Sequence, residues 1–301
     1  MALVRLVYFG TPEVAATPLR ALCLAGHEVV LVVTAADTRR GRGSAVTPSP
    51  VKAVAMELGL TVSEDPQDVL SLDADLGVVV AYGRIISSQL LDHLKMVNLH
   101  FSLLPRWRGA APVERAILAG DAQTGVCVME VAEGLDTGGI YAQAEIDLDD
   151  RVTAAELREQ LVSLGSDLLL DQLHQGLGEA IPQSEVGVTY AHKLHAPDAQ
   201  LLWDSPSDLL LRRIRVGGAW TTFRQKRFKV LSAQTVQIDV LEGDPSMRSA
   251  QVAPGTLAAA GLVRTGDSWI ELLRVQPEGK SAMPASDWAN GARPAGEVFG
   301  E

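Results

Sequence analysis

The sequence predicts an α/β chain, a parallel sheet with crossover helices followed by a smaller β-barrel. Three observations carry this. Short apolar runs without polar alternation, at Leu3–Gly10, Glu28–Thr34 and Asp75–Ala81, suit strands buried on both faces. Helical patterns separate them, from Pro12 to about Ala25 and from Val51 to Leu58. Beyond Pro206 the texture changes to short β-like pieces divided by Gly, Asp and Ser turns.

In chain order, Leu3–Gly10 is a β-rich run ending in glycine, and Glu28–Thr34 is the second strand. Asp37–Pro50, polar and rich in Arg, Gly, Ser and Pro, is too long for a simple connector, and loops of that kind are usually functional. A long amphipathic helix is expected over Thr153–Gln175, opened by a capping box from Thr153 to Glu156. Gly176–Pro206, with Pro182, Pro197 and Pro206, reads as connecting chain. A short helix over Pro206–Arg215 leads into strands at Thr221–Val230, Val236–Leu241, Gly255–Ala258, Leu262–Arg264 and Trp269–Val275. The expected division is a first domain over 1–189, a linker over 190–206 and a C-terminal domain over 207–301.

The 301 residues suffice for two domains, and 47% hydrophobic with 21% charged residues is the balance of a soluble globular protein. Cys23 and Cys127 make neither a disulfide framework nor a metal pair and read as small, buried apolar residues. His27, His93, His174, His192 and His195 show no metal-ligand spacing, so no metal is expected. The N-terminal segment lacks the features of a secretory leader. No run of about 18 uncharged apolar residues could span a membrane. The expectation is a cytoplasmic protein without membrane contact, and nothing demands more than a monomer.

Net charge is −11, unpromising for a partner of nucleic acid, but its distribution is uneven. Residues 1–203 hold 14 Lys/Arg against 26 Asp/Glu, whereas residues 204–301 hold 12 against 11. Arg212, Arg213, Arg215, Arg224, Lys226, Arg227 and Lys229 form a run with no acidic residue among them. Clustered cations attract phosphates, so this run is a candidate RNA surface. The interleaved Trp220, Phe223 and Phe228 are expected in a barrel core instead. In the loop, Arg39, Arg40, Arg42 and Lys52 oppose only Asp37, and arginine suits phosphate through bidentate contacts.

The densest chemical signal is Val97-Asn98-Leu99-His100-Phe101-Ser102, where polar and apolar residues alternate. In a strand, Asn98, His100 and Ser102 then share a face, at the strand end where open α/β sheets place ligands. Asp136 stands in a glycine-rich loop, Gly134-Leu135-Asp136-Thr137-Gly138-Gly139. An amine attacking a formamide carbon creates an oxyanion, which Asn98 and a protonated His100 could stabilise. A carboxylate beside His100 favours its charged form, and Asp136 could accept the amine's proton directly or through water. Taken alone, the polar alternation also fits a solvated strand face, and Asp136 a plain turn residue. No Gly-x-Gly-x-x-Gly follows the first strand, which argues against a dinucleotide site.

Asn98-x-His100-x-Ser102-Leu103-Leu104-Pro105, then Arg108-Gly109-Ala110-Ala111-Pro112 and Gly134-Leu135-Asp136-Thr137-Gly138, resembles the folate-dependent formyltransferases. Phe9-Gly10-Thr11-Pro12, Gly41-Arg42-Gly43, Pro48-Ser49-Pro50-Val51-Lys52 and Val80-Ala81-Tyr82-Gly83 fit the same family. The resemblance covers nearly the whole chain and is densest over residues 1–145. It implies a Rossmann-like parallel-sheet formyltransferase domain followed by a small OB-fold-like β-barrel that binds tRNA. It implies Asn98, His100 and Asp136 as the catalytic trio, and a folate site along Ser102, Leu103, Leu104 and Pro105, near Ala81, Tyr82 and Gly83. The implied donor is 10-formyltetrahydrofolate, released as tetrahydrofolate, and the implied acceptor is the methionine amine on initiator tRNA. The loop from Arg39 to Lys52 would wedge into the tRNA acceptor end, with Arg42 the main basic contact. A small acceptor, or hydrolysis of the carrier, is the alternative chemistry. A silent RNA-binding module that kept the fold is the alternative class.

Overall fold

The structure, a computed structural model, describes residues 3–39, 46–236, 252–258 and 261–300. The chain forms two compact units. One comprises Met1–Ala116, Ala122–Leu148 and Ala155–Lys193, and the other Ile117–Asp121, Asp149–Ala154 and Leu194–Glu301.

The first unit is built on β1 (Arg5–Gly10), β2 (Glu28–Val33), β5 (Val62–Ser63), β6 (Leu76–Val80), β7 (Met96–His100), β8 (Gln123–Glu130) and β9 (Ile140–Asp147). The sheet order is β5-β2-β1-β6-β7-β8-β9. The apolar runs read as doubly buried strands are so: residues 6–10 of β1 and all of β6 are buried. Helices α1 (Ala16–Leu24), α2 (Pro50–Glu57) and α3 (Ser88–His93) cross between parallel strands. α2 starts where the sequence places it, because Ser49 Oγ accepts the Lys52 N–H and Pro50 takes the first helical position. The small hairpin of β3 (Thr38–Arg39) and β4 (Val46–Thr47) bounds the Arg-rich loop.

The sheet is not parallel throughout. β8 runs antiparallel to β7, pairing Val97 with Glu130 and His100 with Cys127, and β9 runs antiparallel to β8. A purely parallel edge would need a full crossover before each strand. Here the connection through α4 (Pro112–Ala119) instead delivers β8 in the reverse direction, and a nine-residue loop over 131–139 joins it to β9. That loop carries Asp136. The long helix is α5 (Ala154–Gln175). The chain beyond it is more than a connector: Ile181 bridges Ile140, and Tyr190 bridges Arg108.

In the second unit, α6 (Ser207–Val216) precedes β10 (Trp220–Phe223), β11 (Lys226–Thr235), β12 (Leu262–Arg264), β13 (Trp269–Pro277) and β14 (Met283–Pro284), followed by α7 (Ala285–Ala292). They form a curled antiparallel sheet with strand path β10-β11-β13-β12, β14 pairing β13. The β10–β11 hairpin turns on Arg224 and Gln225, at φ 49° and 62°, the positive dihedrals a two-residue primed turn requires. Trp203, Phe223, Phe228, Trp288 and Phe299 make its aromatic core. Gly255–Ala258 is reduced to isolated bridges at Thr256 and Leu257. The strand expected over Val236–Leu241 lies, beyond Val236, outside the described residues. No helix among the described residues is long and apolar enough to cross a membrane.

Candidate active site

The period of two along β7 does what the sequence implies for its first two polar residues. Asn98 and His100 both line a cavity of about 600 Å³. Ala81, Tyr82 and Gly83, just past the end of β6, form one wall, and residues 131–136 form another. Ala81 takes φ 46° and Gly83 φ 77°, which turns the chain sharply as it leaves the strand.

His100 is buried, with Nε2 2.9 Å from the Trp107 carbonyl oxygen. A carbonyl can only accept, so Nε2 carries a proton. The other ring nitrogen, Nδ1, lies 3.6 Å from Asp136 Oδ2. That oxygen also accepts the Gly109 N–H at 2.7 Å. Asp136 itself is held at φ 50°, a region that aspartate enters more readily than most residues. An amide, an imidazole and a carboxylate separated by up to 38 residues in sequence thus meet at one cavity.

Two further residues, missed in the sequence, hold this geometry. Gln183 Nε2 donates to the carbonyl oxygens of Asp136 and Gly138, both at 2.8 Å. Its Oε1 accepts from Arg108 Nε at 3.0 Å and from a terminal Arg108 nitrogen at 2.8 Å. Thr189 Oγ1 accepts the Trp107 N–H at 2.9 Å. Gln183 lies in a segment whose prolines and lack of periodicity make it look like a linker, so no local signal marks it. Ile85 and Ile86 also line the cavity. Their only sequence signal is an apolar pair one residue beyond the Ala81–Gly83 run.

Ser102, Leu103, Leu104 and Pro105, expected along the folate site, are not among the residues that line this cavity. The strand ends at His100, so the alternation lapses before Ser102, which is fully buried with Oγ donating to the Arg106 carbonyl at 2.6 Å. Leu104 packs with Cys127, Met129 and Ile140, and Leu103 abuts Gly125. The peptide bond between Leu104 and Pro105 is cis. The segment therefore supports the turn that presents the Trp107 carbonyl to His100.

The expected basic contacts divide. Lys52 is held between Asp37 and Glu64, at 2.9 and 3.0 Å, which keep it protonated by raising its pKa. Arg39 lies in β3, while Arg40 and Arg42 fall outside the described residues. Arg212 pairs with Asp208, and Arg213 donates to the Gln200 carbonyl. Arg215 donates to the carbonyls of Asp149 and Val152, and burial lowers its pKa. Arg224 is tied to Glu297. Lys226, Arg227 and Lys229 are exposed on β11, the last two on the face opposite the buried Phe228 and Val230. Arg227 stacks over the Trp220 ring at 4.4 Å. Phe223 and Phe228 belong to the core, while Trp220 looks outward. Among the described residues no group of three His, Cys, Asp or Glu could hold a metal.

Polar groups and a carboxylate facing a largely apolar cavity suit chemistry at a carbonyl group. The Formyl transferase profile matches residues 4–173, and that of the Formyl transferase C-terminal domain matches residues 193–293. Methionyl-tRNA formyltransferase of Roseobacter denitrificans is 41% identical, covering 96% of both chains. That of Symbiobacterium thermophilum is 40% identical, covering 96% of this chain and 93% of its own. The chain belongs to the methionyl-tRNA formyltransferase family of formyl transferases. Its fold is shared with an N-formyltransferase from Helicobacter canadensis in complex with folinic acid and dTDP-3-aminofucose (TM-score 0.68, 16% identity, 92% of this chain and 100% of that one). It is shared too with HypX from Aquifex aeolicus in complex with tetrahydrofolic acid (TM-score 0.65, 15% identity, 96% of this chain), of which it spans 47%.

Proposed function

We propose that the chain transfers the formyl group of 10-formyltetrahydrofolate to the α-amine of methionine on initiator tRNA. The observation that carries this is the convergence of Asn98, His100 and Asp136 on one cavity, in a chain about 40% identical along its length to methionyl-tRNA formyltransferases. The cavity volume of about 600 Å³ fits a folate-sized donor, within the roughly 300–1,000 Å³ of small-molecule sites. Ala81, Tyr82, Gly83 and the two isoleucines that follow Arg84 supply the apolar wall for it.

In the reaction the amine nitrogen bonds to the formyl carbon while the carbonyl electron pair moves onto oxygen. Asn98 and His100 stand where that negative charge develops. The Trp107 carbonyl fixes the imidazole by Nε2, which leaves Nδ1 facing the reaction and Asp136. Asp136 takes the proton released by the amine. Collapse breaks the bond to the carrier nitrogen, which takes up the proton that Asp136 received from the amine and leaves as tetrahydrofolate, so that the carboxylate is restored. No covalent enzyme intermediate is needed.

The acceptor's polyanion is met by two surfaces: the Arg39–Lys52 loop, with Arg42 its main contact, and the exposed cations at the start of β11, Lys226, Arg227 and Lys229. The domain over 1–189 does the chemistry and that over 207–301 holds the tRNA. One chain supplies the whole catalytic trio, which supports action as a monomer, in the cytoplasm where initiator tRNA is charged.

The test is formyl transfer to methionylated initiator tRNA, compared with an amino-sugar nucleotide and a ribonucleotide glycinamide. His100→Ala should lower turnover by about 10²–10³-fold while tRNA affinity holds. Arg42→Ala should weaken tRNA binding and flatten its salt dependence with folate affinity unchanged. Preference for a small acceptor would refute the reading.

A further inference from the structure

We propose that the segment from Ile181 to Ala191 is a positioning strap for the reaction and that Gln183 is its principal residue. The proposal rests on the proton-handling role given above to Asp136. The strap grips both halves of the catalytic pair. At one end Ile181 exchanges two backbone hydrogen bonds with Ile140, at 2.8 and 2.9 Å, directly after the loop that carries Asp136. At the other end Arg108 N–H donates to the Thr189 carbonyl at 2.9 Å, and Ala191 N–H donates to the Arg108 carbonyl at 2.7 Å. Between them Thr189 Oγ1 holds the N–H of Trp107, the residue whose carbonyl fixes His100.

Gln183 joins the two. A primary amide has two donor hydrogens and an acceptor oxygen with two lone pairs. Both hydrogens go to the carbonyls of Asp136 and Gly138, and the oxygen receives two Arg108 donors. The partners leave only one orientation of the amide, because carbonyls cannot donate and a guanidinium cannot accept. Arg108 is 7% exposed, so its charge polarises the amide in a setting of low dielectric. The bonds fall on the backbone of Asp136 itself, which sits at a positive φ that persists only where its surroundings hold it. A side chain that merely filled space would have no reason to satisfy those two carbonyls. Gln183 therefore acts through Asp136, by setting the carboxylate's place relative to Nδ1 of His100.

The test is a mutant cycle in steady-state formyl transfer to methionyl-tRNA. Gln183→Glu keeps an acceptor for Arg108 but sets a carboxylate oxygen against two carbonyl oxygens. It is expected to lower kcat by about 30- to 100-fold, the effect of an ångström-scale misplacement. KM for formyl-folate and the thermal midpoint should stay near wild type. Gln183→Met, neutral and of similar length, gives the same readout if the charged variant unfolds. In an Asp136→Asn background either substitution should cost no further activity, because the group it positions is already gone. Wild-type kcat in Gln183→Met, or a loss that multiplies fully with Asp136→Asn, overturns the proposal while leaving the role of Asp136 intact. Full activity in Asp136→Asn alone overturns that role and this proposal together.

Discussion

Gly138→Ala displaces the catalytic loop without removing any polar group. A Cβ on Gly138 would overlap the carbonyl oxygen of Glu130 and stand 2.8 Å from its carbonyl carbon. Carbon atoms in contact settle at about 3.5–4.0 Å, so something must retreat by about 1 Å. Glu130 ends β8, paired to Val97 of β7, and its N–H is bonded to the Gly139 carbonyl at 2.8 Å. The strand lies inside the sheet, so the 134–139 loop gives way and carries Asp136 with it. A displacement near 1 Å at a reacting group costs about 10²-fold in rate, or about 2.7 kcal/mol of barrier. The assay is steady-state formyl transfer to methionyl-tRNA, with thermal unfolding followed in parallel by circular dichroism. Gly178→Ala is the control, since nothing lies within 4 Å of a Cβ there; it should behave as wild type. A kcat for Gly138→Ala within about twofold of wild type would refute the argument that this loop sets the rate through the position of Asp136.

Other outcomes follow from burial. Phe228 is 1% exposed and its ring lies 4.7 Å from Trp288 and 5.1 Å from Phe299, so Phe228→Ala should cost the C-terminal unit about 3–5 kcal/mol in denaturant titration; a loss below 1 kcal/mol would contradict the core described here. Neither ring nitrogen of buried His27 has a hydrogen-bond partner among the described residues, and burial holds its pKa below the ordinary 6.5. The unfolded chain then binds a proton that the folded chain refuses, so stability is lost as pH falls through 6.5 toward the folded value; His27→Leu should shrink the drop in Tm between pH 7.5 and 5.5, and an unchanged drop would exclude His27 as its source. Burial pushes the Cys127 thiol up to about 11, and its Sγ donates to the Ser102 carbonyl. Iodoacetamide at pH 8 should leave Cys127 unmodified until denaturant is added, which peptide mass mapping reads directly.

Much of the site was legible because its signals are local. Alternation along Val97–Ser102 put Asn98 and His100 on one face, since successive residues of a strand point to opposite sides whatever surrounds them. The same rule misled at Ser102, because it holds only while the strand continues and β7 stops at His100. The mixed sheet escaped because neither Gln123–Glu130 nor Ile140–Asp147 is among the strands expected from the sequence. An apolar run reports that a strand is buried on both faces, but not the direction in which it enters the sheet. The basic run in the C-terminal half was counted correctly, yet a count cannot separate Arg215, spent on the carbonyls of Asp149 and Val152, from the exposed Lys229.

By itself the sequence determined many of the elements and their order, because periodicity, capping and composition act over a few residues, while the likeness of its motifs to the formyltransferases implied which residues carry the chemistry. The tertiary structure decided what depends on chain path. It brought Asp136 to within 3.6 Å of His100, aimed the Nε2–H of His100 at the Trp107 carbonyl, and turned an apparent linker into the clasp made by Gln183. Those contacts join residues as far as 75 apart. Their energies come from neighbours that exist only once the sheet has formed, so no local pattern in the chain could encode them visibly.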